Sequence, residues 1–330
     1  MPDAFLPTAL RKLVLPLKGI AGLGAALLGA GIAFGAAAEP DAAQPKEPPK
    51  AHPAGEWLDP NRSEPEGTHY RTFPSKLAGG EVSYLIYLPP DYETDATRRY
   101  PVVYWLHGYG GSMRAGVSFV NPLDAAIRAG TAPAMIVVLV NGLAASFYCD
   151  SPDGKRPVDS VIIQELIPHV DETYRTLAGA ATRAVEGFSM GGYGAAHLGF
   201  KHPDVFGLVS VRSGALTDSV EWGPLKPPQG GRREMMLKAE KTYFEANDLA
   251  AVIRHNADAI RGQTKVRIAV GSEDSLLPNN QALHEFLGQL KIEHEYEVVP
   301  GAPHNATVVY HTLGDREFAW YADAWSKKNP

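Results

Sequence analysis

Gly187-Phe188-Ser189-Met190-Gly191 sets a serine between two glycines, each two positions away. A serine hydroxyl is a weak nucleophile and does chemistry only when a base takes its proton and an acid orients that base. Ala184-Val185-Glu186 before it reads as a short strand, and Gly192-Tyr193-Gly194-Ala195-Ala196-His197 after it opens a helix of small residues. On a tight strand-to-helix turn the serine backbone is strained and its neighbours must lack bulk, which the glycines supply. The helix N-terminus also puts positive dipole beside a forming alkoxide. An ordinary glycine-rich turn or a phosphate loop is the competing reading, but phosphate loops use a different glycine spacing or a lysine.

When a serine sits on such a turn, the acid and then the histidine follow it along the chain. Gly271-Ser272-Glu273-Asp274 is a turn after the apolar run VRIAV, and Pro300-Gly301-Ala302-Pro303-His304-Asn305 is a loop without regular pattern. His304 is the candidate base and Asp274 its orienting acid; Glu273 is the alternative acid and His311 the competing base. His294 falls on a strand, His255 and His284 on helices, and His197 just inside the helix after the serine. Donors for a tetrahedral oxyanion would be the backbone N–H of Met190 and one from Leu106-His107-Gly108-Tyr109-Gly110-Gly111, which resembles an HGGG-type turn. Tyr109 is the expected second donor, with Gly108 or Gly110 as alternatives. His107 reads as structural.

These residues need a scaffold. Runs at 82–88, 101–106, 134–140, 208–211, 266–270 and 294–299 are aromatic, β-branched or continuously apolar, and read as strands. Helical patterns lie between them at 122–128, 160–174, 191–201, 249–261 and 279–290. Continuous apolar strands suit a mostly parallel sheet covered on both faces, and the alternation predicts one doubly wound α/β domain over 57–330. Residues 214–247 are irregular, with Pro224, Pro227, Pro228 and Gly230-Gly231, and read as an insertion at the strand ends, where lids and substrate walls usually sit.

The chain has 330 residues, 45% hydrophobic and 21% charged, with a formal charge of -6 and a single cysteine. That content builds a large core, excludes a disulfide framework or multi-cysteine zinc site, and argues against a nucleic-acid binder. Arg11, Lys12 and Lys18 precede the charge-free run Gly19 to Ala38, whose Ala36 and Ala38 fit a cleavage site. Residues 1–38 are thus expected to be a signal peptide, or else an uncleaved membrane anchor, since twenty apolar residues can just span a bilayer. Residues 39–56 carry Pro, Ala and charge without periodicity and read as a linker. Loss of 1–38 removes three basic groups and one acidic one, leaving 28 and 36, a net -8 for a periplasmic or extracellular protein. Cys149 reads as a packed or pocket-wall residue. No H-E-x-x-H, P-loop or dinucleotide fingerprint is present, so no metal or cofactor is expected. The sequons at Asn61 and Asn305 read as chance matches, because a glycan on Asn305 would obstruct His304.

Tyr87 to Tyr92 (YLPPDY), Arg99 to Gly111 (RYPVVYWLHGYGG), Gln164 to Thr176 (QELIPHVDETYRT), Arg183 to Ala195 (RAVEGFSMGGYGA), Gly271 to Leu277 and Pro300 to Asn305 together resemble an esterase group of the α/β-hydrolases. Feruloyl and acetyl-xylan esterases, secreted mycolyltransferases, enterochelin esterase and S-formylglutathione hydrolase belong to that group. The resemblance runs over roughly 80–310. It implies an α/β-hydrolase fold with Ser189 as nucleophile, Asp274 as acid, His304 as base, and Tyr109 and Met190 as oxyanion donors. Ser146-Phe147-Tyr148-Cys149-Asp150 matches the group's S-F-Y-x-D segment, which lines the mycolyltransferase cleft. Phe147 and Asp150 are therefore candidates for substrate contact, with packing the other reading. Pro303-His304-Asn305 departs from the pattern of many relatives, in which glycine-histidine is followed by an acidic or aromatic residue. The resemblance implies a secreted serine ester hydrolase acting on a small or polysaccharide-linked ester, of the feruloyl or acetyl-xylan esterase kind. The alternative is acyl transfer of the mycolyltransferase type with the same three residues.

Overall fold

The computed structural model describes residues 56–216, 243 and 246–326; the expected signal segment, almost all of the linker and most of the 214–247 insertion lie outside them. Eight strands make one sheet in the order β1-β2-β4-β3-β5-β6-β7-β8. They are β1 (Thr68–Ser75), β2 (Gly80–Tyr87), β3 (Val102–Leu106), β4 (Ile136–Val140), β5 (Arg183–Phe188), β6 (Leu208–Arg212), β7 (Lys265–Gly271) and β8 (His294–Val299). β1 pairs antiparallel with β2 and β2 with β4, while β3 to β8 run parallel. Every residue of β3, β4, β5 and β6 is buried, as continuous apolar strands covered on both faces require.

Side chains alternate between the two faces, so β3 feeds both apolar layers. Tyr104 and Leu106 join one cluster with Met190, Tyr193, Leu198 and Ile253. Val103 and Trp105 join another with Phe119, Tyr310, Phe318 and Tyr321. The first layer is covered by α4 (Met190–Lys201) and α5 (Leu249–His255), the second by α1 (Val117–Ala129), α8 (Ala306–Leu313) and α9 (Asp315–Ser326). Helices α2 (Val158–Val161) and α3 (Ile167–Thr173) are joined through a π-helical turn at Ile162–Leu166; α6 is Ala257–Gln263 and α7 is Leu277–Gln289.

A charged cluster is sealed beneath the sheet. The Glu186 carboxylate accepts from Ser210 (2.6 Å), Arg267 (2.9 Å), Tyr310 (2.7 Å) and Tyr321 (2.6 Å), and Glu317 takes Arg212 at 2.6 Å and also Arg267. Two carboxylates facing two guanidiniums leave no buried charge uncompensated, the condition under which such groups are tolerated in a core. The set fastens α8 and α9 to β5, β6 and β7.

Strand order reverses at β3, whose chain continues to β4 on one side while β5 lies on the other. Clefts form at such a switch point, outside the carboxyl ends of the strands. Those two ends carry His107-Gly108-Tyr109 and Ser189.

Differences from the sequence reading are local. β1 was not expected, and neither were α8 and α9. The helix expected at 122–128 begins at Val117, with Pro122 inside it. The stretch 249–261 is two helices broken at Asn256, whose φ of -100° and ψ of 10° leave the helical range.

Candidate active site

Ser189 stands between β5 and α4 with φ 60° and ψ -115°. A non-glycine residue there costs on the order of 1–3 kcal/mol and persists only where its surroundings impose it. They do. Its N–H donates to the Arg212 carbonyl (3.0 Å), and its carbonyl accepts from Tyr193 N–H (3.0 Å) and Ala215 N–H (2.9 Å). A Cβ on Gly187 would lie 2.3 Å from the Gly191 carbonyl oxygen, and one on Gly191 only 1.9 Å from that of Leu106. Both glycines of the motif are therefore required by the close approach of α4 to β3.

Asp274 and His304 meet Ser189 from the loops that follow β7 and β8. His304 Nε2 lies 2.9 Å from Ser189 Oγ and its Nδ1 lies 2.8 Å from Asp274 Oδ2. An ionised carboxylate only accepts, so Nδ1 carries the ring proton and Nε2 is left to accept the serine proton. The Asp274 side chain is fully buried. Burial raises its pKa, but the bonds from His304 and the Leu276 N–H (2.8 Å) outweigh that and hold it below the ordinary carboxylate value. Phe188 lies against the imidazole, ring centroids 4.8 Å apart.

The acid turn and the histidine loop are laced together. Ser272 N–H donates to the Val299 carbonyl (2.9 Å), Glu273 N–H to that of Ala302 (3.1 Å), and Gly301 N–H to Ser272 Oγ (2.8 Å). Glu273 points its side chain to solvent, so the structure brings Asp274, not Glu273, to His304. His311 is exposed on α8. Asn305 caps α8 through Oδ1, which accepts the Val308 N–H at 3.1 Å, so the departure after His304 serves the helix start.

The loop after β3 closes the other side. A Cβ on Gly108 would sit 3.4 Å from Ser189 Cβ, in van der Waals contact, so this loop lies directly against the serine. Gly110 N–H donates to the Ala144 carbonyl (2.7 Å) and Gly111 N–H to that of Gly108 (3.0 Å). Gly110 is thereby committed elsewhere as a donor. His107 Nδ1 lies 2.9 Å from the Gly108 carbonyl oxygen; burial pushes its pKa down to about 4, so the ring is neutral and donates from Nδ1. The Gly108 carbonyl thus takes two donors, and the Tyr109 N–H on the same planar peptide points the opposite way. Met190, the first residue of α4, has no acceptor one turn back for its N–H.

Phe147 is buried, with its ring 5.8 Å from Tyr193 and 6.1 Å from the exposed ring of Tyr109. Asp150 is occupied differently: its two oxygens take the Ser160 N–H (3.0 Å) and Oγ (2.6 Å) at the start of α2. Cys149 is buried, its Sγ 3.6 Å from the Phe147 carbonyl oxygen. Sequence reasoning gave no role to Phe188, Ser272 or Tyr148, although each stood inside a segment that it singled out: the serine motif, the acid turn and the S-F-Y-x-D match.

A sheet in this order, turning from its fifth strand into a strained serine, is the α/β-hydrolase fold. A solved ferulic acid esterase matches it with a TM-score of 0.64 at 21% identity, over 78% of this chain and 98% of that one. The family described as Putative esterase matches residues 75–328, and the chain belongs to that family. An esterase of Mycobacterium tuberculosis is 33% identical over 170 residues, which is 50% of this chain and 36% of that protein. An endo-1,4-beta-xylanase/feruloyl esterase of Xylanibacter ruminicola is 29% identical over 229 residues, 66% of this chain and 29% of that protein. The chain therefore spans only about a third of the length of each of these relatives.

Proposed function

We propose that this chain is an exported serine carboxylic-ester hydrolase that works through an acyl-enzyme on Ser189. The observation that carries the reading is the run of two contacts, 2.9 Å from Ser189 Oγ to His304 Nε2 and 2.8 Å from His304 Nδ1 to Asp274 Oδ2. Ser189 Oγ attacks the ester carbonyl as His304 Nε2 takes its proton, and Asp274 stabilises the imidazolium that results. The carbonyl oxygen, now an anion, accepts from the Tyr109 and Met190 N–H groups, whose fixed dipoles need no reorganisation. Collapse expels the alcohol, which takes the proton back from His304. Water then repeats the cycle on the acyl-enzyme and frees Ser189.

The acyl group proposed is aromatic or short, of the feruloyl or acetyl kind. The exposed Tyr109 ring is backed by the buried rings of Phe147 and Tyr193, and an exposed ring of this kind favours offset or edge contact with an aryl acid. The names of the relatives support the same choice. Export is supported by the basic-then-apolar run of residues 11–38.

Kinetics of wild type and Ser189→Ala on p-nitrophenyl acetate and methyl ferulate test the mechanism. The variant is expected to lose a factor of about 10³ or more in kcat on both esters. Unchanged esterase activity in Ser189→Ala would remove the proposed mechanism.

A further inference from the structure

The loop that carries the Tyr109 N–H is gripped from outside by a segment that the proposed mechanism does not use. Residues 143–148 follow β4 and hold three non-glycine residues at positive φ: Leu143 at 57°, Phe147 at 53° and Tyr148 at 59°. Backbone of this kind costs about 1 kcal/mol or more per residue, so neighbouring contacts must impose it. Tyr148 is fully buried. Its ring fills the space beside two glycines, where a Cβ on Gly142 or Gly194 would come within 2.1 or 2.3 Å of ring carbons. Ser146 Oγ accepts the Tyr148 N–H at 2.9 Å and donates to the Gly142 carbonyl, closing the turn that aims the ring inward. The Tyr148 hydroxyl then donates to the His107 carbonyl at 3.0 Å.

We propose that Tyr148 is a positioning residue for the oxyanion hole, fixing the loop from which the Tyr109 N–H reaches the reacting carbonyl. The proposal rests on the serine-esterase reading above. Three consecutive peptides make the geometry. Tyr148 holds the 107–108 peptide through the His107 oxygen, and the Ala144 carbonyl holds the 109–110 peptide through the Gly110 N–H. Between them lies the 108–109 peptide, which carries the Tyr109 N–H and is held at its own oxygen by His107 Nδ1 and Gly111 N–H. Rotation of the 107–108 peptide would draw the imidazole off the Gly108 oxygen and swing the Tyr109 N–H away from Ser189. Both outer bonds come from the same strained segment, so its strain is spent on aiming one donor.

Tyr148→Phe keeps the ring that fills the space beside Gly142 and Gly194 and deletes only the hydroxyl. Deleting an oxyanion donor outright costs about 10²–10³ in kcat, and loosening one is expected to cost about 10-fold. On p-nitrophenyl acetate, kcat should fall by that factor while KM stays within about twofold of wild type. An arylboronic acid, whose tetrahedral adduct on Ser189 places a hydroxyl where the oxyanion sits, should bind weaker by the same factor. The pH dependence of kcat should keep its limbs, because Asp274 and His304 are untouched. Ser146→Ala, at a half-buried site, should move kcat and boronate affinity together in the same direction by a smaller factor, and supplies the test should Tyr148→Phe fold poorly. Folded variants that keep kcat within twofold of wild type, or that lose kcat without losing boronate affinity, overturn the proposal. An active Ser189→Ala sinks the mechanism itself, whereas an inactive Ser189→Ala beside a fully active Tyr148→Phe sinks only the role of Tyr148.

Discussion

Glu273 and Asp274 are neighbours with the same chemistry, yet only one can orient His304. The turn decides between them: Asp274 is folded inward, its oxygens taken by His304 and the Leu276 N–H, while Glu273 uses only its backbone N–H to hold the histidine loop. Asp274→Asn preserves the shape but offers His304 Nδ1 an N–H where it needs an acceptor, which favours the wrong tautomer. A loss of about 10⁴ in kcat is expected, against a change within about twofold for Glu273→Gln. Matched steady-state kinetics of the two variants check this. The pKa of Asp274 lies below the ordinary carboxylate value, so its ionisation favours the fold above the unfolded-state pKa, and that contribution fades as pH falls through the lowered one. The serine motif and the order of the three residues were legible in the sequence, because motif spacing and chain order are local facts. The choice between adjacent carboxylates was not, because it depends on which way a turn faces. The use of Asp150 was hidden for a similar reason: its partner Ser160 comes ten residues later, at the start of a helix.

At the level of elements, glycines separate positions that tolerate a side chain from those that do not. A Cβ on Gly191 would lie 1.9 Å from the Leu106 carbonyl oxygen, a backbone atom that cannot step aside. On Gly262, inside α6, it would meet nothing within 4 Å. Gly191→Ala should therefore lower the melting temperature and abolish activity. Gly262→Ala should stabilise by about 0.5–1 kcal/mol through the unfolded chain and leave kcat unchanged. Thermal unfolding with parallel assays measures both. The parallel strands were readable because continuous apolar runs leave few other assignments. β1 was not, since Thr68–Ser75 is an edge strand with Pro74, His69 and Arg71, half of it facing water. α9 was obscured by Glu317, a charge on the buried face. That carboxylate is buried only because Arg212 and Arg267 arrive from β6 and β7, a match that no local periodicity reveals.

Across the whole molecule, two buried histidines set opposing pH limits on stability. Burial lowers the pKa of His107 from 6.5 to about 4, so the unfolded chain binds a proton that the fold rejects, and stability declines as pH falls from about 6.5 toward 4. Burial also works against a charge on His197, but Cys149 and Asp159 beside it prevail and raise its pKa to about 9. Its contribution is complete below 6.5 and is lost as pH rises through 9. Each shift corresponds to about 3 kcal/mol. Melting temperature should therefore peak near pH 6–7, and His197→Gln should flatten the alkaline side alone; a profile that rises steadily from pH 6 to 9 contradicts this. The same sheet that buries these groups brings Ser189, His304 and Asp274 together from three separate loops, the arrangement on which the proposed acyl-enzyme at Ser189 rests. Peptide mass spectrometry of enzyme quenched during turnover of p-nitrophenyl acetate looks for that acyl-enzyme itself. An acetyl group is expected on Ser189 in the wild type, accumulating further in Asp274→Asn if deacylation slows more than acylation, and none in Ser189→Ala. Acetylation confined to another residue, or a Ser189→Ala enzyme that turns over like wild type with no acyl adduct, would contradict it.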